Sequence, residues 1–336
     1  MTAWLSEDEL RVAVDRRLAA SLDEASARLP DAVPLVTEIR RVVEAGGKRL
    51  RPVLCYWGYA AGRGAPGDAI VRAAAALELL HTFAVVHDDI MDSSHERRGV
   101  PTINAASGDG AALLAGDLAL VLADAELMTS GFDRDVLSEA FGVYSRMRQE
   151  VVAGQFLELQ LAGGASTSEA DARRVAVLKS GRYSVREPLL IGASLARAPD
   201  HVVEGLARAG EPLGEAFQLA DDLLGTFGDP SATGKPVDSD VRTGKKNVLY
   251  AKTAALLAGA DREFFLSSWG GGDALTDGDV ERLRALVDSS GARAATQSLL
   301  DELAGAARDA IDALDVDGDP KAALLNLATR LTDRSA

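Results

Sequence analysis

Two acidic stretches carry the residues most able to do chemistry. In ELLHTFAVVHDDIMDSSHERR (residues 78–98) an apolar, helix-forming run ends in Asp88, Asp89 and Asp92, and Arg97 and Arg98 follow. Apolar spacing at Leu79, Leu80, Phe83, Val86 and Ile90 predicts a helix over 78–92, which puts Asp88 and Asp92 one turn apart on one face. Carboxylates held that way repel and raise each other's pKa unless a cation lies between them. All-oxygen ligands on a helix suit Mg²⁺, which keeps several waters and is commonly shared with substrate phosphates. A lone DDxxD in an acidic protein reads equally well as a helix end with solvated acids. A second pair, Asp221 and Asp222 in FQLADDLLGTFGD, shifts that balance toward a metal cluster between two aspartate-bearing helices.

A metal-held diphosphate also needs cations, and here they are clustered. GGKRLRP (46–52) packs Lys48, Arg49 and Arg51 around a glycine turn, where backbone N–H groups and a following helix start favour an anion. Lys179 lies in LKSGRY. The stretch GDPSATGKPVDSDVRTGKKNV carries Lys235, Lys245 and Lys246 and has the composition of a surface loop able to fold over a phosphate. Taken singly, each cluster is also what an ordinary solvated helix end or linker looks like. Gln155 and Glu158 of GQFLEL sit three apart on one helix face, a spacing equally common at plain exposed positions. No GxSxG, HExxH, P-loop or dinucleotide fingerprint is present. The set therefore points to metal-assisted ionisation of a diphosphate ester, with no protein nucleophile.

The elements that must hold these groups are helices. The chain has 336 residues, 47% of them apolar but only 5% aromatic, a balance that favours helix packing over a β-sandwich. Helical patterns run over 6–29, from Pro34 to the Gly46–Gly47 pair, over 50–63, 67–92, 107–129, 133–162, 168–198 and 200–227, and again through 246–334. Ser6 with Glu9 has the spacing of a capping box. Ser180–Gly181 reads as a break and Pro188 as a kink or restart. No β-alternation of useful length, internal repeat or composition shift appears, so one all-α domain over 1–336 is expected.

A net charge of −15 argues against a nucleic-acid partner. The single cysteine, Cys55, excludes an intramolecular disulfide and reads as an inert core residue. The start carries Glu7, Asp8 and Glu9, unlike a secretory signal, and the apolar run AALLAGDLALVLA (111–123) is broken by Asp117. A cytoplasmic protein without integral membrane association is expected.

In order, GGKRLRP, HTFAVVHDDIMD, RRG, GQFLEL, LKSGRY, FQLADD and GKxxxxxxxxGK span residues 46–246, and this ordered set resembles the trans-isoprenyl diphosphate synthases, the polyprenyl synthetase family. The resemblance implies a single-domain bundle of long helices around a central apolar cavity. It implies that an allylic diphosphate binds through three Mg²⁺ ions, with Mn²⁺ able to substitute, and loses pyrophosphate to leave an allylic cation. The double bond of isopentenyl diphosphate then attacks head to tail, and a proton is lost to the departing pyrophosphate. Asp88, Asp89 and Asp92 would form the first aspartate-rich motif and Asp221 and Asp222 the second. Arg97, Lys179, Gln218 and Lys235 would touch the allylic diphosphate, with Lys245 on the lid; Lys48, Arg51, His81 and Arg98 would hold isopentenyl diphosphate. A homodimer is implied as well.

The chain departs from the family pattern in places. Gly225 stands at the last position of the second DDxxD, which Asp229 could compensate from the next turn. Glu158 replaces the usual Asp and Ser180 the usual Thr. Phe83, roughly 7–8 Å down the helix axis from Asp88, with small Ala84 beside it, resembles the floor of short-chain synthases ending at fifteen to twenty carbons. Geranylgeranyl diphosphate is favoured over farnesyl diphosphate. A class I terpene cyclase is disfavoured, because Gly225 and Asp229 occupy the Ser and Glu positions of that family's second metal motif. A non-catalytic regulatory subunit stays open through the missing acid at Gly225.

Overall fold

The computed structural model describes residues 3–164, 166–228, 239–316 and 318–333. Its helices follow the sequence pattern closely. Ser6 caps α1 (Glu7–Arg28) in the expected box, its hydroxyl accepting from the Glu9 N–H while Glu9 accepts from the Ser6 N–H, and Pro30 opens the 3₁₀ turn that stops it. Then come α2 (Val33–Glu44), α3 (Leu50–Ala61) and α4 (Asp68–Met91). A two-residue antiparallel ladder pairs Glu96–Arg97 with Val100–Pro101, a strand pairing that alternation could not reveal at that length. The chain continues through α5 (Ile103–Ser107), α6 (Asp109–Met128), α7 (Arg134–Gly163) and α8 (Glu169–Val175). A π-helical segment (Ala176–Arg186) leads into α9 (Glu187–Leu195), followed by α10 (Asp200–Phe227). Last come α11 (Ser239–Thr243), α12 (Val248–Leu256), α13 (Gly259–Ser268), α14 (Asp277–Ser289), α15 (Ala292–Asp312) and α16 (Asp319–Thr332). The predicted all-α bundle of long helices is what the chain forms.

The helices group into two compact units, Met1–Tyr144 with Pro188–Val203, and Ser145–Glu187 with Glu204–Ala336. In the first, α4 packs along α6 through small residues. Ala73, Ala74, Ala75 and Ala76 of α4, and Ala112, Ala115, Ala119 and Ala123 of α6, are all fully buried. Three- and four-residue spacing on α6 makes a flat alanine stripe, so the two backbones approach closely. Leu10, Val14, Leu18 and Leu22 of α1 repeat every four residues and close over this pair. Each such leucine contributes about 2 kcal/mol of burial. By length and composition α4 could cross a membrane, yet 67% of its most apolar stretch is buried within the protein. Its apolar character serves the core.

The second unit has its own core. Leu219 and Leu223 of α10 meet Val248, Leu249 and Tyr250 of α12, and Phe265 lies 5.4 Å from Tyr250 and 5.1 Å from Trp269, ring centre to ring centre. One expectation is corrected here. Ser180–Gly181 do not break the helix, because the π segment runs through them. A Cβ at Gly181 would lie 2.9 Å from the Gly214 carbonyl carbon of α10, so the glycine permits a backbone-to-backbone crossing. Pro188 restarts the helix as expected: the π segment ends at Arg186, and Pro188 is the second residue of α9.

Candidate active site

In the first unit the acids gather at the end of α4, with Asp92 as its C-cap. A helix C-terminus already carries about half a negative charge, so three carboxylates there destabilise the free protein and attract cations. They are not equivalent. Asp88 has 21% of its side chain exposed and Asp92 is exposed, whereas Asp89 keeps only 6%. Arg97 takes up both oxygens of Asp89: Nε donates at 2.9 and 3.0 Å and Nη2 at 2.7 Å. Burial pushes Asp89 above the ordinary carboxylate value, against the opposing pull of Arg97. Arg97 Nη2 also lies 3.8 Å from Asp88.

Arg97 is aimed by the small ladder. The loop between its strands is Arg98–Gly99, both with positive φ (55° and 75°), the conformation of a type I′ hairpin turn. The turn sets Arg98 against the glycine loop, since a Cβ on Gly47 would lie 2.9 Å from Arg98 Nη1. In that loop Arg49 has positive φ and is buried. It donates to Asp15 Oδ1 (2.7 Å), Glu78 Oε1 (2.7 Å) and the Val43 carbonyl (2.8 Å). Of the three cations in GGKRLRP, Arg49 is thus an internal anchor, with Lys48 exposed and Arg51 half-buried on either side.

One turn beyond Glu78 on α4 stands His81. Burial, then the charges of Arg51, Arg98, Arg97 and Arg49, hold it well below the usual histidine value. It is neutral at pH 7, and two of those charges, Arg51 and Arg98, are arginines expected to hold isopentenyl diphosphate. A small pocket is lined by Glu78, His81, Asp89, Arg97 and Arg98 with Val42, Val85 and Thr102. Phe83, half-buried, makes an edge contact with His87 at 4.7 Å, and the His87 ring fills the space above Gly116 on α6. Ala84 beside it is partly exposed.

The second unit builds its acid site differently. A Cβ on Gly154 of GQFLEL would lie 2.6 Å from the Lys179 backbone N, so α7 and the π segment touch backbone to backbone. One turn on, Glu158 pairs with Lys179 Nζ. With the Gly181–Gly214 crossing, this sets Lys179 on a segment packed against α10, whose next turn carries Gln218. The Gln218 amide donates to Asp222 Oδ1 at 2.7 Å. Asp222 is buried, and burial together with the charges of Asp240 and Asp221 pushes it well above the ordinary carboxylate value. Asp221 is half-buried. Lys246 caps the end of α7, donating to the carbonyls of Ala162 (3.1 Å) and Gly164 (2.5 Å), while Lys245 stands 3.9 Å from Asp240. Lys235 and Asp229 lie outside the described residues.

Hard, partly exposed carboxylates at Asp88, Asp92 and Asp221 fit Mg²⁺, an ion that keeps its own waters. Asp89 is bound by Arg97 and Asp222 by Gln218. Among the described residues no three His, Cys, Asp or Glu side chains form a closed metal cage. Sequence reasoning missed Glu78 and the anchoring role of Arg49. The spacing E-x-x-H before the DDxxD was the available signal. Cys55 is buried as expected, its thiol pushed up to about 12 by burial.

Residues 34–287 match the polyprenyl synthetase family model. A geranylgeranyl diphosphate synthase of Saccharolobus solfataricus is 33% identical over 245 residues, 72% of this chain and 73% of that protein. A (2E,6E)-farnesyl diphosphate synthase of Mycobacterium bovis is also 33% identical, over 86% of this chain and 80% of that protein. The crystal structure of a Corynebacterium glutamicum geranylgeranyl pyrophosphate synthase, complexed with isoprenyl diphosphate and magnesium, superposes with a TM-score of 0.94 at 31% identity, covering 98% of this chain and all of that one.

Proposed function

The chain belongs to the polyprenyl synthetase family, and on that footing we propose that it condenses isopentenyl diphosphate head to tail with an allylic diphosphate (dimethylallyl, geranyl or farnesyl) to give geranylgeranyl diphosphate. It is a trans-prenyltransferase that works on isoprenyl diphosphates with Mg²⁺. The observation that carries the fuller reading is the end of α4. Asp89 is locked by Arg97, Asp88 and Asp92 keep more of their surface exposed, and the adjoining pocket holds neutral His81 and Arg98.

On this reading Asp88 and Asp92 on α4, and Asp221 on α10, would hold Mg²⁺, which when bound supplies positive charge to the leaving diphosphate. Arg97 keeps Asp88 and Asp92 in register through Asp89 and turns a donor toward the same diphosphate. Lys179 and Lys245 supply further charge to the leaving group. The allylic C–O bond breaks with its electron pair going to pyrophosphate. Lys48, Arg51 and Arg98 hold the second diphosphate, and His81, neutral, offers a hydrogen bond without adding charge. The double bond of isopentenyl diphosphate forms the new C–C bond, and the proton released goes to pyrophosphate. Asp89 and Asp222 act as buried supports for their neighbours.

We read residues 1–336 as one domain, because the borders of the two units fall inside α7, α9 and α10 and not in linkers. A homodimer fits an apolar stripe on α6: Leu114, Val121 and Met128, seven apart, are 57%, 61% and 45% exposed. Val121→Glu should then lower the mass measured in solution, and an unchanged mass would remove this face from the interface. The acidic chain and its lone buried cysteine support a cytoplasmic setting.

The deciding experiment incubates the chain with isopentenyl diphosphate, Mg²⁺ and each allylic starter, reading products by mass. A twenty-carbon diphosphate is expected, lengthened by Phe83→Ala. A fifteen-carbon end point would move the floor above Phe83. No condensation with any starter would favour the regulatory-subunit reading.

A further inference from the structure

Three helices converge on the residue between Lys48 and Arg51. Lys48 stands outside α3 and Arg51 is its second residue, so the backbone at Arg49, the N-cap between them, sets the angle at which the two cations can meet an anion. Arg49 is in the left-handed region (φ 48°, ψ 37°), which a residue with a Cβ keeps only where its surroundings hold it there. Its guanidinium does the holding. Nε donates to Asp15 of α1 and Nη1 to Glu78 of α4, both at 2.7 Å, and Nη2 donates to the Val43 carbonyl in the last turn of α2 at 2.8 Å. We propose that Asp15 is a positioning residue for isopentenyl diphosphate: through Arg49 it fixes the loop that carries Lys48 and Arg51, and so couples α1 to affinity for the second substrate.

Every group assigned to that substrate is keyed to this junction. Lys48 and Arg51 flank it in the chain. Gly47 lies two residues before it, and a Cβ there would fall 2.9 Å from Arg98 Nη1 and 3.2 Å from Nη2, so a shifted loop would unseat Arg98. His81 follows Glu78 by one turn of α4. The Arg49–Glu78 pair is buried, its side chains 4% and 5% exposed, and a guanidinium bonded through all three nitrogens has one orientation. Asp15 differs, with 53% of its side chain exposed. Its loss strands no buried charge, because Glu78 and Val43 still hold Arg49, but it frees the edge of the fork that faces α1. An ion pair this exposed adds little to stability, so its effect belongs in the geometry of the loop. α1 is itself fastened to α3 near its start. The Leu5 N–H donates to the Tyr56 hydroxyl at 2.9 Å, and the Trp4 ring meets Tyr56 edge-on at 5.2 Å. Asp15 is thus presented by a helix already docked on the one whose start it steadies.

The inference rests on the synthase reading, and the test keeps the two apart. Condensation in Mg²⁺ is measured with isopentenyl diphosphate varied at saturating allylic diphosphate, and then the reverse, with melting of the ligand-free proteins as the control for folding. Asp15→Ala should raise the KM for isopentenyl diphosphate roughly 3- to 10-fold, the scale of one partly exposed charged hydrogen bond. The KM for the allylic diphosphate, kcat and the melting temperature should change little. Asp15→Asn keeps a neutral acceptor for Arg49 and should fall between Asp15→Ala and wild type. The sign is diagnostic, because charge alone predicts the opposite: removing an acid near an anion site should tighten binding. An unchanged or lower KM for isopentenyl diphosphate in Asp15→Ala would overturn the proposal. So would an equal rise in both KM values, the mark of a loosened fold. Wild-type protein that makes no product with any starter would overturn the synthase reading, and this inference with it.

Discussion

The two aspartate-bearing helices solve one problem with different chemistry. On α4 the acids crowd a helix C-terminus, and the buried one is held by a two-pronged arginine. On α10 they lie more than a turn before Phe227, and the buried one is held by a single amide. In the first unit His81 lies among Arg51, Arg98, Arg97 and Arg49; in the second Lys179 pairs with Glu158, and Lys245 stands 3.9 Å from Asp240. A guanidinium is a planar fork that fixes a carboxylate in one orientation, whereas an ammonium is a compact charge on a flexible stem. The first site is therefore set before any ligand arrives, while the second keeps cations able to adjust to one.

Removing the arginine should have the largest effect. Arg97→Ala strands a buried carboxylate, and urea unfolding should register a loss of about 3–5 kcal/mol, with Arg97→Lys only partly restoring it. Gln218→Ala removes one neutral donor and should cost about 1 kcal/mol in the same measurement. Equal losses would erase the contrast between the two helices.

A subtler effect refines it. His81 is depressed by burial and by the arginines of the first site, so its folded pKa lies below the 6.5 of an ordinary histidine. As pH falls below that value the unfolded chain takes up a proton that the folded chain refuses, and stability falls. Above it both states are neutral and nothing changes. Between about pH 6.5 and 5 the ligand-free protein should therefore lose up to roughly 1.4 kcal/mol more per pH unit than His81→Gln. Parallel stability curves would mean that the cation cluster assembles only around substrate.

Much of this is legible in the chain. Ser6 and Glu9 announce a cap that forms, the apolar periods mark the long helices to within a few residues, and the DDxxD helix lies where its spacing predicts. The misreadings share a cause. Ser180–Gly181 reads as a break because glycine disfavours a lone helix, but here it is required by the crossing with Gly214. Arg49 reads as one of three phosphate-facing cations, yet its partners are Asp15 and Glu78, thirty or so residues away. The exposed stripe on α6 is hidden because α6 is apolar nearly all round, and only its packing against α4 tells one face from the other.

The helices, the acids and cations they carry, and the family follow from the sequence alone, because capping, periodicity and motif spacing act over a few residues. Which charges are engaged was settled by folding: Asp89 by Arg97, Asp222 by Gln218 and Arg49 by Glu78. A carboxylate's role depends on desolvation and on partners that folding brings within a few ångströms, and neither is written at its own position in the chain.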